Sequence, residues 1–377
     1  MPGAGQSEPE WLTRKQRIDT RLIQSGWRLS PYAPGRSIGD YKQDAIEEYV
    51  TDEGPADYAL IVDGRILGIL EAKKLSLGPQ NVLVQAERYS RGASANPLDF
   101  RGFRVPFLLS TNGEVIWFHD VRHPLNRSRK IVSYPTPDAF REWMGRDFDS
   151  ALANLSAGTG APDGLRDYQK EAIGAVEKAI ADRKRQMLLA MATGTGKTKT
   201  AVGMVYRLLK SGLARRILFL VDRRALAAQA VGAFAAFEAE PGLKFDKIYE
   251  VYSQRFRREE LEDEIAFDPT VLPESYLTAP RPGLAFVYVG TIQRMALNLF
   301  GARAAFEARD ERAEEDVRQL DIPIHAFDLI IADECHRGYT AQERSTWRET
   351  LDHFDAIKVG LTATPAAHTS AYFEHVA

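Results

Sequence analysis

The sequence predicts an α/β protein of two domains, the first built on a mixed sheet and the second on a parallel one. Three observations carry that expectation. A glycine- and threonine-rich turn, Met191-Ala-Thr-Gly-Thr-Gly-Lys-Thr198, directly follows the apolar stretch Gln186–Ala190. Around it, short apolar runs alternate with helical patterns, as in parallel sheets with crossover helices. Before it, two pairs of short strands meet at Asp63-Gly64 and Asn112-Gly113, dipeptides that favour tight hairpin turns.

In chain order, Trp11–Trp27 reads as an amphipathic helix, with Ile18, Leu22 and Ile23 at helical spacing. Arg14, Lys15, Arg17 and Arg21 lie mostly on its other side, as a solvated face or as phosphate contacts. A second helix is expected over Tyr41–Val50. Strands follow at Tyr58–Val62 and Ile66–Lys73, then a helix around Val82–Ser90, then the hairpin Phe107–Ser110 and Val115–Phe118. Small and turn-forming residues at 153–164 mark a boundary, giving domains at 1–154 and 165–377 with a linker at 155–164. The second domain's strands are expected at Gln186–Ala190, Ile217–Val221, Ala285–Val289, Leu329–Ala332 and Ala356–Leu361. Two charged stretches, Tyr249–Thr278 and Arg303–Asp321, read as insertions.

Composition narrows the class. The 377 residues are 44% hydrophobic and 27% charged, which excludes collagen-like, coiled-coil and wholly disordered chains. No apolar run approaches the ~20 residues of a membrane span. The N-terminal residues have no apolar h-region, so no secretory signal is expected. The single cysteine, Cys335, fits a reducing cytoplasm. One cysteine and seven histidines give no zinc-ligand spacing. Net charge is −3, and residues 1–160 hold 20 basic and 20 acidic side chains, so nucleic-acid binding would rest on local patches.

The turn at 191–198 has the chemistry of a phosphate cradle. Thr193, Gly194, Thr195 and Gly196 would bring backbone N–H groups to phosphates, Lys197 would reach the β- and γ-phosphates, and Thr198 would ligate Mg²⁺. Met191 stands where the strict pattern has glycine. A second apolar strand ends in Asp333-Glu334-Cys335-His336, an acidic pair where parallel sheets bind ligands. Asp333 is suited to holding Mg²⁺, and Glu334 to orienting or deprotonating water.

Leu165-Arg-Asp-Tyr-Gln169, Phe219-Leu-Val-Asp-Arg223, Val289-Gly-Thr-Ile-Gln293 and Gly360-Leu-Thr-Ala-Thr-Pro365 complete an ordered motif set. Over about residues 165–370 the chain resembles the first RecA-like domain of superfamily 2 helicases and translocases. The resemblance implies a RecA-like P-loop domain with a parallel sheet, using ATP and Mg²⁺. It implies that Gln169 reads adenine, and that Arg223 and Thr291 lie on a nucleic-acid track. Thr362, Thr364 and His336 would couple nucleotide state to DNA binding. The chain stops twelve residues after Pro365, so the second RecA-like domain is expected to be absent. ATP binding with poor hydrolysis and no translocation is the expectation for this polypeptide.

In the first domain, Asp57 begins one strand and Glu71 and Lys73 end the next. Two carboxylates and a lysine at a sheet edge can hold Mg²⁺ and direct water at a phosphodiester. Parity sets a condition. A two-residue turn at Asp63-Gly64 puts Asp57 opposite Leu70, on the wrong face, whereas an odd loop or a bulge puts it opposite Glu71. Glu47 and Glu48 are candidates for a further carboxylate.

GPADYALIVDGRILGILEAKK, with Gln85-Ala-Glu-Arg-Tyr89 after it, resembles the PD-(D/E)xK nuclease domain of type I restriction enzyme motor subunits. The opening TRKQRIDTRLIQSGW and the nuclease-then-motor order extend the likeness over nearly the whole chain. It implies an N-terminal restriction-endonuclease-like α/β domain with a mixed sheet, in which Gln85 and Tyr89 position DNA. The implied function is Mg²⁺-dependent cleavage of double-stranded DNA coupled to ATP-driven translocation, with methylation and sequence-specificity subunits as partners. A nuclease-linked translocase of a single-chain restriction-modification, defence or repair system is the alternative. Another is a non-catalytic DNA-binding assembly module.

Overall fold

The computed structural model describes residues 10–73, 83–158, 162, 164–254, 270–301, 318–335, 341–373 and 375–376. The chain forms two compact units, Met1–Arg146 and Asp147–Ala377. This division falls before the 1–154 and 155–164 limits expected. The helix just after it buries Ala151 and Leu155 in the second unit's core, so the small residues expected to form a linker follow an element already packed there.

The first unit opens with α1 (Glu10–Thr13), a π-helical turn over Arg14–Ile18, and α2 (Asp19–Gln24). Then come β1 (Arg28–Pro31), β2 (Gln43–Thr51), β3 (Gly54–Val62), β4 (Arg65–Ala72) and α3 (Leu83–Arg91). The unit closes with β5 (Phe107–Thr111), β6 (Ile116–Asp120), β7 (Arg129–Ile131) and α4 (Pro137–Met144). Among the described residues these strands form one sheet in sequence order, β1 to β7. It is mixed: β1–β2 and β4–β5 run parallel, and the other neighbours antiparallel. One face buries Ile46, Ala59, Ile69 and Leu108 with Leu83 and Ala86 of α3. Trp27, Phe107, Phe118, Phe140 and Trp143 pack as a separate aromatic group, the Phe107 and Phe140 rings 4.6 Å apart.

The helix expected over Tyr41–Val50 is strand β2. Its buried residues Ile46 and Tyr49 lie three apart, a helical spacing, because Glu48 between them takes a left-handed backbone with φ +52°. That residue interrupts the strand's alternation, and a period of two no longer shows in the sequence.

The second unit begins with α5 (Phe148–Ala157), α6 (Asp167–Ala181), β8 (Gln186–Ala190), α7 (Lys197–Ser211), β9 (Arg216–Val221) and α8 (Arg224–Ala236). A small ribbon of β10 (Glu238–Glu240) and β11 (Leu243–Lys244) precedes β12 (Glu250–Ser253), β13 (Thr270–Val271) and α9 (Glu274–Thr278). The remainder is β14 (Phe286–Thr291), α10 (Ile292–Phe300), β15 (Leu329–Asp333), α11 (Ala341–His353), β16 (Ile357–Thr362), α12 (Ala367–Tyr372) and β17 (His375–Val376). The described strands form a parallel sheet ordered β13-β12-β14-β9-β15-β16-β8-β17. Both faces are covered. Along β9, Ile217, Phe219 and Val221 enter one core and Leu218 and Leu220 the other, which is why these strands read as unbroken apolar runs.

The first expected insertion, Tyr249–Thr278, is partly core. Its strand β12 pairs with β14 inside the sheet, hidden in the sequence by the charged residues that follow. Most of the second expected insertion lies outside the described residues. No described helix is long and apolar enough to cross a membrane.

Candidate functional sites

The first site depends on how β3 meets β4. The turn at Asp63-Gly64 has two residues, both with positive φ (48° and 73°), and pairs Val62 with Arg65. Continued regularly, that register would set Asp57 against Leu70. It shifts by one between Leu60 and Ile61, with Leu67 the extra residue, so Tyr58 pairs with Leu70 and Asp57 comes to face Glu71. The bulge that parity demanded is present. Two hydrogen bonds lock the result. The Ala72 N–H donates to Asp57 Oδ2 at 2.7 Å, and the Asp57 N–H donates to Glu71 Oε1 at 3.2 Å.

Glu71 is buried, and its neighbour across the parallel pair is the buried Ser110. Lys73, half-buried just past β4, donates its backbone N–H to the Thr111 carbonyl at 2.8 Å. Gln85 and Tyr89 share a face of α3, where the Gln85 amide donates to the Tyr89 hydroxyl at 3.1 Å. The guanidinium of Arg88 lies 5.1 Å from the Tyr89 ring centre.

Sequence reasoning missed Arg14 in this site. Its Nη1 pairs with Glu48 and lies 3.3 Å from Asp57 Oδ1, while Nη2 donates to the Asp57 carbonyl at 3.3 Å. Burial opposes the guanidinium's charge, but hydrogen bonds to Glu48 and Tyr58 override it and hold Arg14 protonated. The Tyr58 hydroxyl donates to Asp19 Oδ1 at 2.6 Å. Burial and that carboxylate together push its ionisation up. Lys15 pairs with Asp19 at 3.1 Å and with Glu47. Arg21 donates to the Gly113 and Val132 carbonyls at 2.9 and 2.7 Å. These cations therefore bind the helix to its own sheet. No signal in the sequence distinguished that from a solvated face, because the partners on the sheet lie 32–111 residues away. Glu48 itself stores backbone strain of about 1–3 kcal/mol in its left-handed conformation.

Hard oxygen donors on adjacent strands suit Mg²⁺, which takes one or two carboxylates and completes its shell with water and phosphate oxygens. Asp57 and Glu71 fit that requirement. Among the described residues no group of three or more His, Cys, Asp or Glu side chains is placed to hold a metal by itself.

In the second site the chemistry gathers at the carboxyl ends of β8, β15 and β16, adjacent strands of the sheet. Gly194 and Gly196 have φ +80° and +81°, open only to glycine at low cost. Gly196 also admits a neighbour, since a Cβ there would lie 2.6 Å from Gln169 Nε2. The turn is braced by Thr195 Oγ1, which donates to the Ala192 carbonyl at 2.7 Å. Met191 departs from glycine harmlessly. Its side chain is buried in the core, and its N–H donates to the Thr362 carbonyl at 2.9 Å.

Lys197 opens α7 and pairs with Glu334 Oε1 at 3.0 Å. Thr198 is next on that helix, half-buried and at the turn's edge. Asp333 ends β15, is 8% exposed, and accepts the Glu334 N–H at 2.9 Å. Glu334 has φ +53°. Buried Thr362 accepts the Thr364 N–H on its hydroxyl at 3.1 Å. Cys335 is half-buried beside these strands, its N–H donating to the Leu361 carbonyl at 3.2 Å. Burial and the nearby Asp333 carboxylate raise its thiol to about 12.

Three further expected site residues have defined settings. Gln169 is buried with its amide committed to the turn, donating to the Thr195 carbonyl at 3.0 Å and accepting the Arg166 N–H at 2.9 Å. The amide thus braces the phosphate loop. Thr291 is a buried N-cap of α10 that accepts the Arg294 N–H at 3.2 Å and donates to Gln254. Arg223, by contrast, is largely exposed at the start of α8. His336 lies outside the described residues.

The family described as "Type III restriction enzyme, res subunit" matches residues 163–367. "Type I restriction enzyme EcoKI endonuclease subunit second domain" matches residues 30–144. The chain is 30% identical to the type I restriction enzyme EcoKI endonuclease subunit of Escherichia coli strain K12, over 94% of its own length and 33% of that protein's. It is also 30% identical to the EcoAI endonuclease subunit of Escherichia coli, over 69% of its length and 28% of the relative's. The chain thus spans about a third of the curated relatives it matches. Among solved structures, a fragment of a putative HsdR subunit of a type I restriction enzyme from Vibrio vulnificus YJ016 aligns at 21% identity and a TM-score of 0.33. That alignment covers 98% of this chain and 58% of that one.

Proposed function

This chain belongs to the type I restriction enzyme endonuclease-subunit family, with a ResIII helicase-like domain in its second unit, and from that premise we propose a division of labour. The first unit cleaves double-stranded DNA with Mg²⁺, and the second binds ATP with Mg²⁺ to drive DNA translocation. Methylation and sequence-specificity subunits are the partners in this reading, and the cytoplasm is its compartment.

The observation that supports it most is the Leu67 bulge, which places Asp57 against Glu71 in the same chain as a phosphate turn and an acidic pair. Asp57 and Glu71 would hold Mg²⁺, which when bound supplies charge neutralisation at the phosphodiester and a more acidic water. Lys73 stabilises the charge that builds on the phosphate, and Gln85 and Tyr89 position the strand. In the second unit, the N–H groups of 193–196 and the start of α7 cradle the nucleotide's phosphates. Lys197 passes from Glu334 to those phosphates. Its departure leaves Glu334 available to orient or deprotonate water, while Thr198 and Asp333 are the metal-holding pair. Gln169 keeps the turn in shape. Thr362 and Thr364, with His336, relay nucleotide state to the DNA track of Arg223 and Thr291.

Glu71→Ala and Lys73→Ala in the assembled enzyme test the first half. Mg²⁺-dependent cleavage is lost while ATP binding persists. Cleavage surviving either change rules the nuclease assignment out.

A further inference from the structure

We propose that Arg14 is a positioning residue that governs metal occupancy of the Asp57–Glu71 pair, with Glu48 as the partner that draws it aside. This rests on the nuclease reading above. Both oxygens of Asp57 already have donors. Oδ2 takes the Ala72 N–H, and Oδ1 faces the Arg14 guanidinium at 3.3 Å. The two contacts differ in kind. An N–H is a neutral dipole that sharpens a carboxylate's direction, whereas a guanidinium is a full positive charge where a divalent cation would approach. A metal ion at Asp57 therefore has to share Oδ1 with a like charge or displace it.

The surroundings are arranged for displacement. Arg14 begins the π-helical turn between α1 and α2, a widened turn of a type that recurs at functional sites. Across from it, Glu48 occupies the register position facing Asp57. Its left-handed backbone is a conformation that a strand residue without a task rarely adopts. Arg14 and Glu48 both line a cavity of about 550 Å³, with Trp11, Lys15 and Tyr32 among its other walls. The guanidinium can turn into that space while keeping its pair with Glu48, and Asp57 then loses its cation but keeps its N–H donor. Lys15, one residue along, lines the same cavity but is engaged by other carboxylates. It pairs with Asp19 and Glu47.

The test is calorimetric titration of Mg²⁺ and Mn²⁺ into the 377-residue chain. Asp57→Asn identifies the binding event and must abolish it. If the event persists in Asp57→Asn, the metal reading of the pair fails and the Arg14 proposal falls with it. With the event assigned, Arg14→Gln tightens metal binding by roughly tenfold, because a competing charge is gone. Arg14→Lys, which keeps charge but cannot span Glu48, Asp57 and the Asp57 carbonyl together, falls between. Lys15→Gln stays within about twofold of the parent, since the effect is local. A merely structural Arg14 predicts the opposite sign, weaker binding as the site loosens. Unchanged or weakened affinity in both Arg14 variants overturns the proposal and leaves the nuclease reading standing. Equal tightening by Lys15→Gln also overturns it, by showing a general field in place of a contact.

Discussion

The two units bring their candidate residues together by different means. In the first, Asp57 and Glu71 come from neighbouring antiparallel strands, and their meeting depends on one extra residue, Leu67, in the pairing. In the second, Lys197 and Glu334 come from loops at the same end of a parallel sheet. Each loop follows its own strand, and no register across the sheet has to be counted. An antiparallel hairpin thus makes a site that is sensitive to parity, whereas a parallel sheet makes one that is sensitive to the backbone shape of individual turns.

Inserting one residue between Ile69 and Leu70, past the bulge, should break this comparison most sharply. Asp57 would then face Leu70, and DNA cleavage by the assembled enzyme should fall on the order of 10²-fold or more, the usual weight of a lost catalytic group. ATP binding should be unchanged, and its loss would refute the independence of the two sites. Lys197→Ala is the complement. Nucleotide affinity in a binding titration should drop roughly ten- to a hundredfold, as for a lost charge-assisted contact, while divalent-metal binding at the Asp57–Glu71 pair stays put.

Gly360→Ala probes the shape sensitivity of the second unit away from the chemistry. A Cβ there would lie 2.6 Å from the Phe373 ring and 2.8 Å from Cys335 Sγ. Overpacking of that kind costs about 1–3 kcal/mol, visible as an earlier unfolding transition of the second unit alone. The smallest effect concerns Cys335, whose thiol is raised to about 12. At pH 8 it should resist alkylation in the folded chain and react once urea unfolds it. The sign for stability follows. The folded state holds this proton more tightly, so its contribution is full below the unfolded thiol's value near 9 and drains away between there and about 12. Rapid labelling of the folded chain at pH 8 would show that the strands around Cys335 are not closed.

Most of the second site was legible because its parts are contiguous. Met191–Thr198 and Asp333–His336 each state their chemistry in a few residues, next to strands buried on both faces. The first site was legible only as a condition, since nothing in Ile66–Lys73 marks Leu67 as surplus. Three features stayed hidden for physical reasons. Strand β2 imitated a helix because Glu48 breaks its alternation. Strand β12 was masked by the charged residues after it. Arg14 looked like any helix-surface cation until its distant partners came into place.

The ion pair between Lys197 and Glu334 has a consequence for which ligands the second site accepts. Each charge already has a partner 3.0 Å away, so a ligand enters by exchange and not by simple addition. A singly charged anion trades one such contact for another of similar strength and gains little. A polyphosphate brings more charge than it displaces, and it also meets the N–H groups of the glycine turn. The Lys197–Glu334 pair is thus a valence filter, quiet toward simple salts and responsive to a ligand carrying several charges at once.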